Sequence, residues 1–245
     1  MLDLVLARRP AAVMLSFGDV APFAAKIRTA GALLICQVQT VTLACEAAQA
    51  GADIIVAQGT EAGGHGASRS TLPLVSAVLD AMADNRFDCL VAAAGGIADG
   101  RGLAAALALG ADGVLIGTRF YAANESLAHA NGKARMVAAS GDGTFRTSLY
   151  DTMRRLDWPR VFTARILRNP FAERWRGDEA GLLESEEQRY HAAVAAGNFD
   201  IAPAYAGEGV DLIRAVVPAA EIVAQFVADA EVALGRAAAL RKPDA

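Results

Sequence analysis

Short apolar runs and Ala-rich helical stretches alternate along the first half of the chain. One pattern occurs three times: the end of an Ala-rich helix is followed by a Gly-Ala pair, and then by a run rich in Ile, Val and Leu. The three copies are Lys26–Val38, Ala47–Gly59 and Ala106–Thr118. Gly31, Gly51 and Gly110 would follow the helix ends, where a left-handed conformation favours glycine. Nearly continuous apolar runs of this length are typical of strands buried on both faces of a parallel sheet.

Two further strands fit the same scheme, Ala12–Phe17 and Cys89–Ala94. Between the strands the pattern predicts helices over Ala21–Ala30, Thr40–Ala50, Pro73–Ala83 and Gly100–Leu109. Alternating strands and helices favour a βα solenoid or barrel, and a complete (β/α)₈ barrel needs eight strands. Because only about five are found by Thr118, we predict an α/β fold, a (β/α)₈ TIM barrel that is partial in this chain. The strand count leaves two alternatives: either the barrel starts upstream of this chain, or the chain forms a partial sheet.

The sequence of the second half of the chain predicts mostly helices. We therefore expect three segments: a partial barrel over 1–124, a helical subdomain over 125–218 that covers the strand tips as a lid, and a C-terminal helix over 219–245. The last helix, about Ala219–Leu240, carries apolar residues at helical spacing and is expected to pack on the barrel. Its apolar positions include Ile222, Val223, Phe226 and Val227.

Composition narrows the class of protein. The chain has 245 residues, of which 54% are hydrophobic, and a formal charge of −4, which excludes an intrinsically disordered chain. Asp and Glu number 27 against 23 Lys and Arg, so no strong basic field attracts nucleic acid or an anionic membrane. No stretch is typical of a membrane span or a signal peptide, and three cysteines without a CxxC pair favour a reducing cytoplasm.

Two glycine-containing loops stand at consecutive strand ends, Gly95-Gly96 and Gly117-Thr118. Ligands of α/β folds bind beyond the carboxyl ends of the strands, and glycine lets backbone N–H groups approach a phosphate closely. These loops are therefore candidates for a phosphate site. The alternative is that each glycine only makes a tight βα turn. Neither a GxGxxG nor a GxxxxGK[ST] motif supports a dinucleotide or P-loop site.

His65 is the strongest candidate for catalysis. It follows a strand within a glycine-rich stretch, Gln58–Gly66, on the expected ligand face. An imidazole there can accept or donate a proton near neutral pH. The competing interpretation is a structural or merely exposed histidine, and Glu61 either orients the ring or is solvated. No set of His, Cys, Asp and Glu has zinc spacing, so no metal site is predicted.

Three ordered motifs carry a family resemblance. The stretches QGTEAGGHG at Gln58–Gly66, AAGGIADGRGLAAALAL at Ala93–Leu109 and GADGVLIGTRF at Gly110–Phe120 resemble the nitronate monooxygenases, formerly called 2-nitropropane dioxygenases. RILRNPF at Arg165–Phe171 and AGEGVDLI at Ala206–Ile213 extend the resemblance over most of the chain. Members of this family are FMN-dependent (β/α)₈ barrels. Since they begin with strands that are not found here, this chain is expected to enter the barrel at its fourth strand.

The resemblance also implies roles for particular residues. His65 matches the family's active-site histidine, near the flavin ring and the substrate. Gly64 matches a backbone contact to the flavin, and Gln37 falls where family members often carry Lys or Gln beside the cofactor. The loops that hold the FMN phosphate are implied at Gly95, Gly96, Gly117 and Thr118.

Three functions remain open at this point. The first is FMN-dependent oxidation of an alkyl nitronate, with oxygen as the second substrate and His65 assisting at the flavin. The second is an enoyl-acyl carrier protein reductase of the FabK-like type, which uses FMN and NAD(P)H. The third is an inactive remnant of the barrel. In all three cases we expect small molecules as the only partners, and neither nucleic acid nor a membrane. An oligomer of this chain remains possible.

Overall fold

A computed structural model describes residues 1–178, 181–182 and 184–240. In chain order its strands are β1 (Ala12–Ser16), β2 (Leu33–Val38), β3 (Ile54–Gln58), β4 (Gly64–Gly66), β5 (Leu90–Ala94), β6 (Gly113–Leu115), β7 (Thr144–Thr147) and β8 (Thr163–Leu167). Its α-helices are α1 (Leu2–Leu6), α2 (Ala21–Thr29), α3 (Val41–Gln49), α4 (Thr71–Asp84), α5 (Gly100–Ala108), α6 (Thr118–Tyr121), α7 (Ala130–Val137), α8 (Leu149–Met153), α9 (Pro170–Trp175), α10 (Glu184–Ala196) and α11 (Ala219–Ala238).

The chain divides into two compact units. The first consists of Met1–Thr60, Arg69–Ala94 and Leu103–Leu115, and the second of Glu61–Ser68, Gly95–Gly102 and the residues from Ile116 onward. His65 and both predicted phosphate loops therefore belong to the second unit, together with the C-terminal half of the chain. Gln37 belongs to the first unit.

The first unit contains a parallel sheet of five strands in the order β1-β2-β3-β5-β6. Every neighbouring pair is parallel, and the register aligns Ser16 with Gln37 and Gln58 with Ala94. The carboxyl ends of all five strands consequently lie at one edge. The predicted α/β architecture, with five parallel strands separated by helices, is confirmed.

The repeated helix–strand pattern has a shared backbone geometry. Gly31, Gly51 and Gly110 have φ angles of 77°, 90° and 103°, in the left-handed region that favours glycine. In each copy the residue after the glycine donates its N–H to a helix carbonyl five positions earlier, as Ala52 does to Ala47 over 3.0 Å. This is the Schellman motif, and it explains why the helix ends at the same place in every copy.

Two copies continue with an aspartate that caps the neighbouring strand. Asp53 Oδ2 accepts a hydrogen bond from Leu34 N at 2.7 Å, and Asp112 Oδ2 accepts one from Val91 N at 2.8 Å. Each carboxylate satisfies a backbone N–H at the beginning of the adjacent strand. The Gly-Ala-Asp sequence therefore links the end of one helix to the start of a neighbouring strand.

The second unit contains an antiparallel sheet in the order β4-β8-β7. We expected residues 125–218 to be helical, and this is wrong for β7 and β8, which lie within that range. Both strands are short, and each has an arginine inside it, Arg146 in β7 and Arg165 in β8. Because a charged residue interrupts the apolar run, neither segment showed the pattern of a buried strand.

The C-terminal helix α11 buries a narrower stripe than its sequence indicated. Ile222, Phe226 and Ala230 are buried, whereas Val223 and Val227 are about half exposed. A Cβ added at Gly100 would lie 2.4 Å from Phe226 O, so this side of α11 contacts the beginning of α5. The predicted helical segment reached Ala245, and positions 241–245 lie outside the described residues. Within the described part of the chain, no helix is long and apolar enough to cross a membrane.

Candidate active site

The loop that carries His65 forms an outer strand of the antiparallel sheet. β4 pairs with β8, and His65 stands opposite Ala164. Gly64 has a φ of 76°, which side-chain-bearing residues rarely adopt. A Cβ at Gly63 would lie 2.7 Å from both Ala206 C and Gly207 N. The glycines before His65 therefore permit a left-handed turn and a close backbone approach.

The imidazole of His65 is held by two side chains that lie far away in the sequence. Its Nε2 is 2.8 Å from Asp151 Oδ2, and the indole of Trp158 stacks on its ring with centroids 3.8 Å apart and planes 7° apart. Only 16% of the His65 side chain is exposed. The hydrogen bond fixes one edge of the ring and the indole covers one face, so its orientation is defined.

Asp151 lies on α8, and 6% of its side chain is exposed. A carboxylate has acceptors and no N–H, so the hydrogen bond to His65 places the imidazole proton on Nε2. The second carboxylate oxygen, Asp151 Oδ1, is buried and has no hydrogen-bond partner among the described residues. Buried acceptors without a donor are rare, and they often mark functional groups.

Arg146 holds the histidine strand to the rest of the sheet. Its Nη2 donates to Gly66 O at 2.6 Å and its Nε donates to Thr163 Oγ1 at 3.0 Å. Burial lowers the pKa of Arg146 to about 10, the neighbouring charge of Arg165 lowers it too, and Glu208 acts in the opposite direction. A partly buried guanidinium thus connects the end of β4 to β8.

The segment Ala206–Gly209 brings the two predicted phosphate loops together. Gly207 N donates to Thr118 Oγ1 at 3.0 Å. A Cβ at Gly209 would lie 2.7 Å from Gly96 O, so this backbone also contacts the first loop closely. The sequence indicated Ala206–Gly209 only as part of a family resemblance, whereas in the fold it connects both loops.

Glu61 belongs to the same assembly. Its carbonyl accepts a hydrogen bond from Glu208 N at 2.9 Å, and a Cβ at Gly96 would lie 3.1 Å from Glu61 Cβ. The sequence left open whether Glu61 orients His65. The carboxylate bonded to Nε2 of the histidine is that of Asp151.

The glycines of the two loops differ in what their backbone requires. Gly95 and Gly96 have φ angles of 108° and 73°, so the turn itself accounts for glycine there. Gly117 has an ordinary φ of −105° at the N-cap of α6, and a Cβ added to it would meet no atom within 4 Å. A tight turn therefore does not explain glycine at position 117, while the open space beside its backbone suits a ligand.

Gln37 lies at the end of β2 in the first unit. It lines a cavity of about 570 Å³ together with Ser16 and Gln39. Gln39 Nε2 donates to Gln58 Oε1 at 2.9 Å, while Gln39 Oε1 is buried without a partner among the described residues. The carboxyl end of this sheet thus presents a cavity bordered by side-chain amides.

The sequence did not single out Asp151 or Trp158. Trp158 had one available signal, because a tryptophan within the polar stretch Leu156–Arg160 is unusual for a surface loop. No sequence signal marked Asp151, because it lies 86 positions from His65 and only the fold brings the two together. The other two histidines are structural or exposed: His129 Nδ1 accepts from Asn131 N, and 65% of the His191 side chain is exposed. In the described ranges no three His, Cys, Asp or Glu side chains could together hold a metal ion.

The model of the nitronate monooxygenase family matches residues 1–229, which is most of the chain. The chain belongs to the nitronate monooxygenase family. This confirms the resemblance that the motifs around His65 and the two glycine loops carried.

Known proteins extend this comparison. The chain is 37% identical over 239 residues to a nitronate monooxygenase of Pseudomonas aeruginosa, covering 93% of this chain and 65% of the relative. FabK from Thermotoga maritima has a TM-score of 0.84 at 29% identity, covering 98% of this chain and 74% of FabK. Nitroalkane oxidase from Streptomyces ansochromogenes has a TM-score of 0.78 at 29% identity, covering 96% and 68%. This chain of the nitronate monooxygenase family spans 50–65% of the length of the first three curated relatives that it matches.

Proposed function

We propose that this chain carries out FMN-dependent oxidation of alkyl nitronates with oxygen, and that His65 binds or exchanges a proton with the substrate. The family supports an oxidoreductase. The observation that carries the role of His65 is its setting, bonded to a buried carboxylate and stacked on an indole within the glycine-rich loop. A merely exposed histidine would have neither restraint.

The second unit contains backbone that suits a flavin phosphate. A Cβ at Gly64 or Gly117 would meet no atom within 4 Å, so a ligand can approach these two backbones closely. Gly95 and Gly96 adopt positive φ angles, and glycine at such positions lets backbone N–H groups approach a phosphate closely. Together with Thr118, these residues fit the phosphate of FMN, and a contact of Gln37 to the cofactor stays a prediction of the family resemblance.

Bound FMN would supply the electron acceptor that oxygen reoxidises. The chain itself contributes binding, orientation and exclusion of water. An anionic nitronate needs hydrogen-bond donors, and a protonated His65 can donate one to a nitro-group oxygen. Trp158 covers one face of the imidazole, which keeps water from that side of the ring.

A second candidate is reduction of an enoyl thioester with NAD(P)H. The observation in its favour is the TM-score of 0.84 to FabK, against 0.78 to nitroalkane oxidase. The two functions differ in their reductant. Oxidation of NAD(P)H that depends on an enoyl thioester, in a chain inactive with nitronates, would favour this candidate.

The test uses the full 245-residue chain incubated with FMN and then desalted. Retained flavin absorbance and oxygen consumption with an alkyl nitronate are the expected results. His65→Asn should lower turnover by about 10²–10⁴-fold, the usual contribution of a positioned acid–base group. His191→Asn, at an exposed position, is the matched control and should leave turnover unchanged. Loss of all flavin on desalting, or unchanged turnover of flavin-loaded His65→Asn, would contradict the proposal.

A further inference from the structure

The contact between Asp151 and His65 distinguishes the two nitrogens of the imidazole. Asp151 Oδ2 lies 2.8 Å from Nε2, within ordinary hydrogen-bond distance. Because the carboxylate can only accept, the proton of a neutral His65 must be on Nε2, and the ring lone pair is then on Nδ1. A protonated ring would keep the same Nε2–H bond and add an N–H at Nδ1.

The surroundings of this carboxylate favour a partner that can become positively charged. Both side chains are largely buried, and Asp151 Oδ1 has no hydrogen-bond donor among the described residues. Buried carboxylates are stable when they are paired or fully hydrogen-bonded. Asp151 has one bond to His65 and an unsatisfied second oxygen, so positive charge on the imidazole would compensate it.

Trp158 restrains the same ring from a different direction. Its plane is 7° from that of His65 at a centroid separation of 3.8 Å, and the indole in turn contacts Phe162 edge to face. A flip of the ring about the Cβ–Cγ bond would place Cε1 where Nε2 lies and would break the bond to Asp151. The stacked indole and the carboxylate therefore select one orientation of the imidazole.

We propose that Asp151 is a positioning residue that keeps the imidazole proton of His65 on Nε2, so that Nδ1 is the nitrogen that acts on the substrate. The identity of that substrate rests on the proposed function. The assignment of Nδ1 rests on the hydrogen bond alone. In this arrangement Nδ1 accepts a proton or, once protonated, donates a hydrogen bond, while Asp151 stabilises the charged ring.

The first test reads the tautomer directly and needs no turnover. Long-range ¹H–¹⁵N NMR on the histidine-labelled chain should show a pyrrole-type Nε2 and a pyridine-type Nδ1 for neutral His65, assigned by loss of its signals in His65→Asn. Asp151→Asn introduces an amide that can donate to Nε2, so the Nδ1–H tautomer should become populated. His129, whose Nδ1 accepts from Asn131 N, is the internal reference and should not change.

The second test is kinetic. Asp151→Asn should lower kcat with nitronate by on the order of 10²–10⁴-fold, as expected when the imidazole tautomer is wrong, with little change in KM. Asp142→Asn removes an exposed carboxylate from the same unit and should change neither kcat nor the spectrum.

An Nδ1–H tautomer in the unmodified chain would overturn the proposal, and this measurement does not depend on how well any Asp151 variant folds. Wild-type tautomer and kcat in Asp151→Asn would overturn it as well. The expected tautomers in a chain that oxidises no nitronate would support the positioning role and contradict the proposed function. Nitronate oxidation by a chain whose His65 has the opposite tautomer would support the proposed function and contradict the positioning role of Asp151.

Discussion

The close approach of Gly63 to the segment Ala206–Gly209 makes Gly63→Ala an informative substitution. An added Cβ would lie 2.7 Å from Ala206 C and from Gly207 N, which are backbone atoms that no side-chain rotation can move away. The backbone must therefore shift. The same segment donates Gly207 N to Thr118 Oγ1 and Glu208 N to the carbonyl of Glu61, and both bonds depend on its position.

The expected cost follows from these contacts. Inserting a methyl group into a closely packed site costs roughly 1–3 kcal/mol. Weakening two hydrogen bonds adds about 1 kcal/mol for each. We therefore expect Gly63→Ala to lower the free energy of unfolding by about 3 kcal/mol or more. For a chain of this size, 3 kcal/mol corresponds to a decrease in Tm of roughly 6–12 °C.

Thermal unfolding followed by circular dichroism measures this decrease. Gly143→Ala is the matched control, because a Cβ there would meet no atom within 4 Å and its φ lies outside the left-handed region. The control should stay within about 0.5 kcal/mol of the unmodified chain. If the two variants have the same Tm, the proposed packing of the histidine loop on Ala206–Gly209 is refuted.

Two further predictions concern the cores. Ile166 is fully buried, so Ile166→Ala should lower the free energy of unfolding by about 3 kcal/mol in urea denaturation, whereas exposed Val232→Ala should change it by less than about 0.5 kcal/mol. Burial raises the pKa of Cys36 to about 11, with a further contribution from the charge of Asp53, so about one Cys36 thiol in a thousand is ionised near pH 8. Mass spectrometry after iodoacetamide treatment should therefore find Cys36 alkylated far more slowly than partly exposed Cys45, and its rate should rise as the pH approaches 11; equal rates at pH 8 would contradict this.

Much of the first unit could be predicted because its signals are local. The Schellman ends at Gly31, Gly51 and Gly110 depend on neighbouring residues, and each strand that follows is a continuous apolar run. Helix bounds also agreed closely; α2, for example, was expected over Ala21–Ala30 and is found over Ala21–Thr29. Patterns that repeat over three to ten residues are visible in one sequence without knowledge of distant contacts.

The antiparallel sheet could not be predicted in this way. β7 has four residues, too few to show a period of two, and Arg165 is buried in β8 because Glu208 forms an ion pair with it at 2.9 Å. That ion pair joins positions 43 residues apart, and the sequence does not reveal it. Charged residues are seldom buried unless they are paired. Without knowledge of its partner Glu208, Arg165 would therefore be predicted to be exposed.

The sequence by itself determined the order of helices and strands in the first unit, the glycine-rich loops and the candidacy of His65. Each of these depends on residues that are neighbours along the chain. Only the tertiary structure decided that Asp151 and Trp158 hold the imidazole, that Arg146 fastens its strand, and that Ala206–Gly209 joins the loops around it. These partners are separated from the sites they complete by about 80 positions or more, and the pairing of such distant residues is set by the packing of the whole unit.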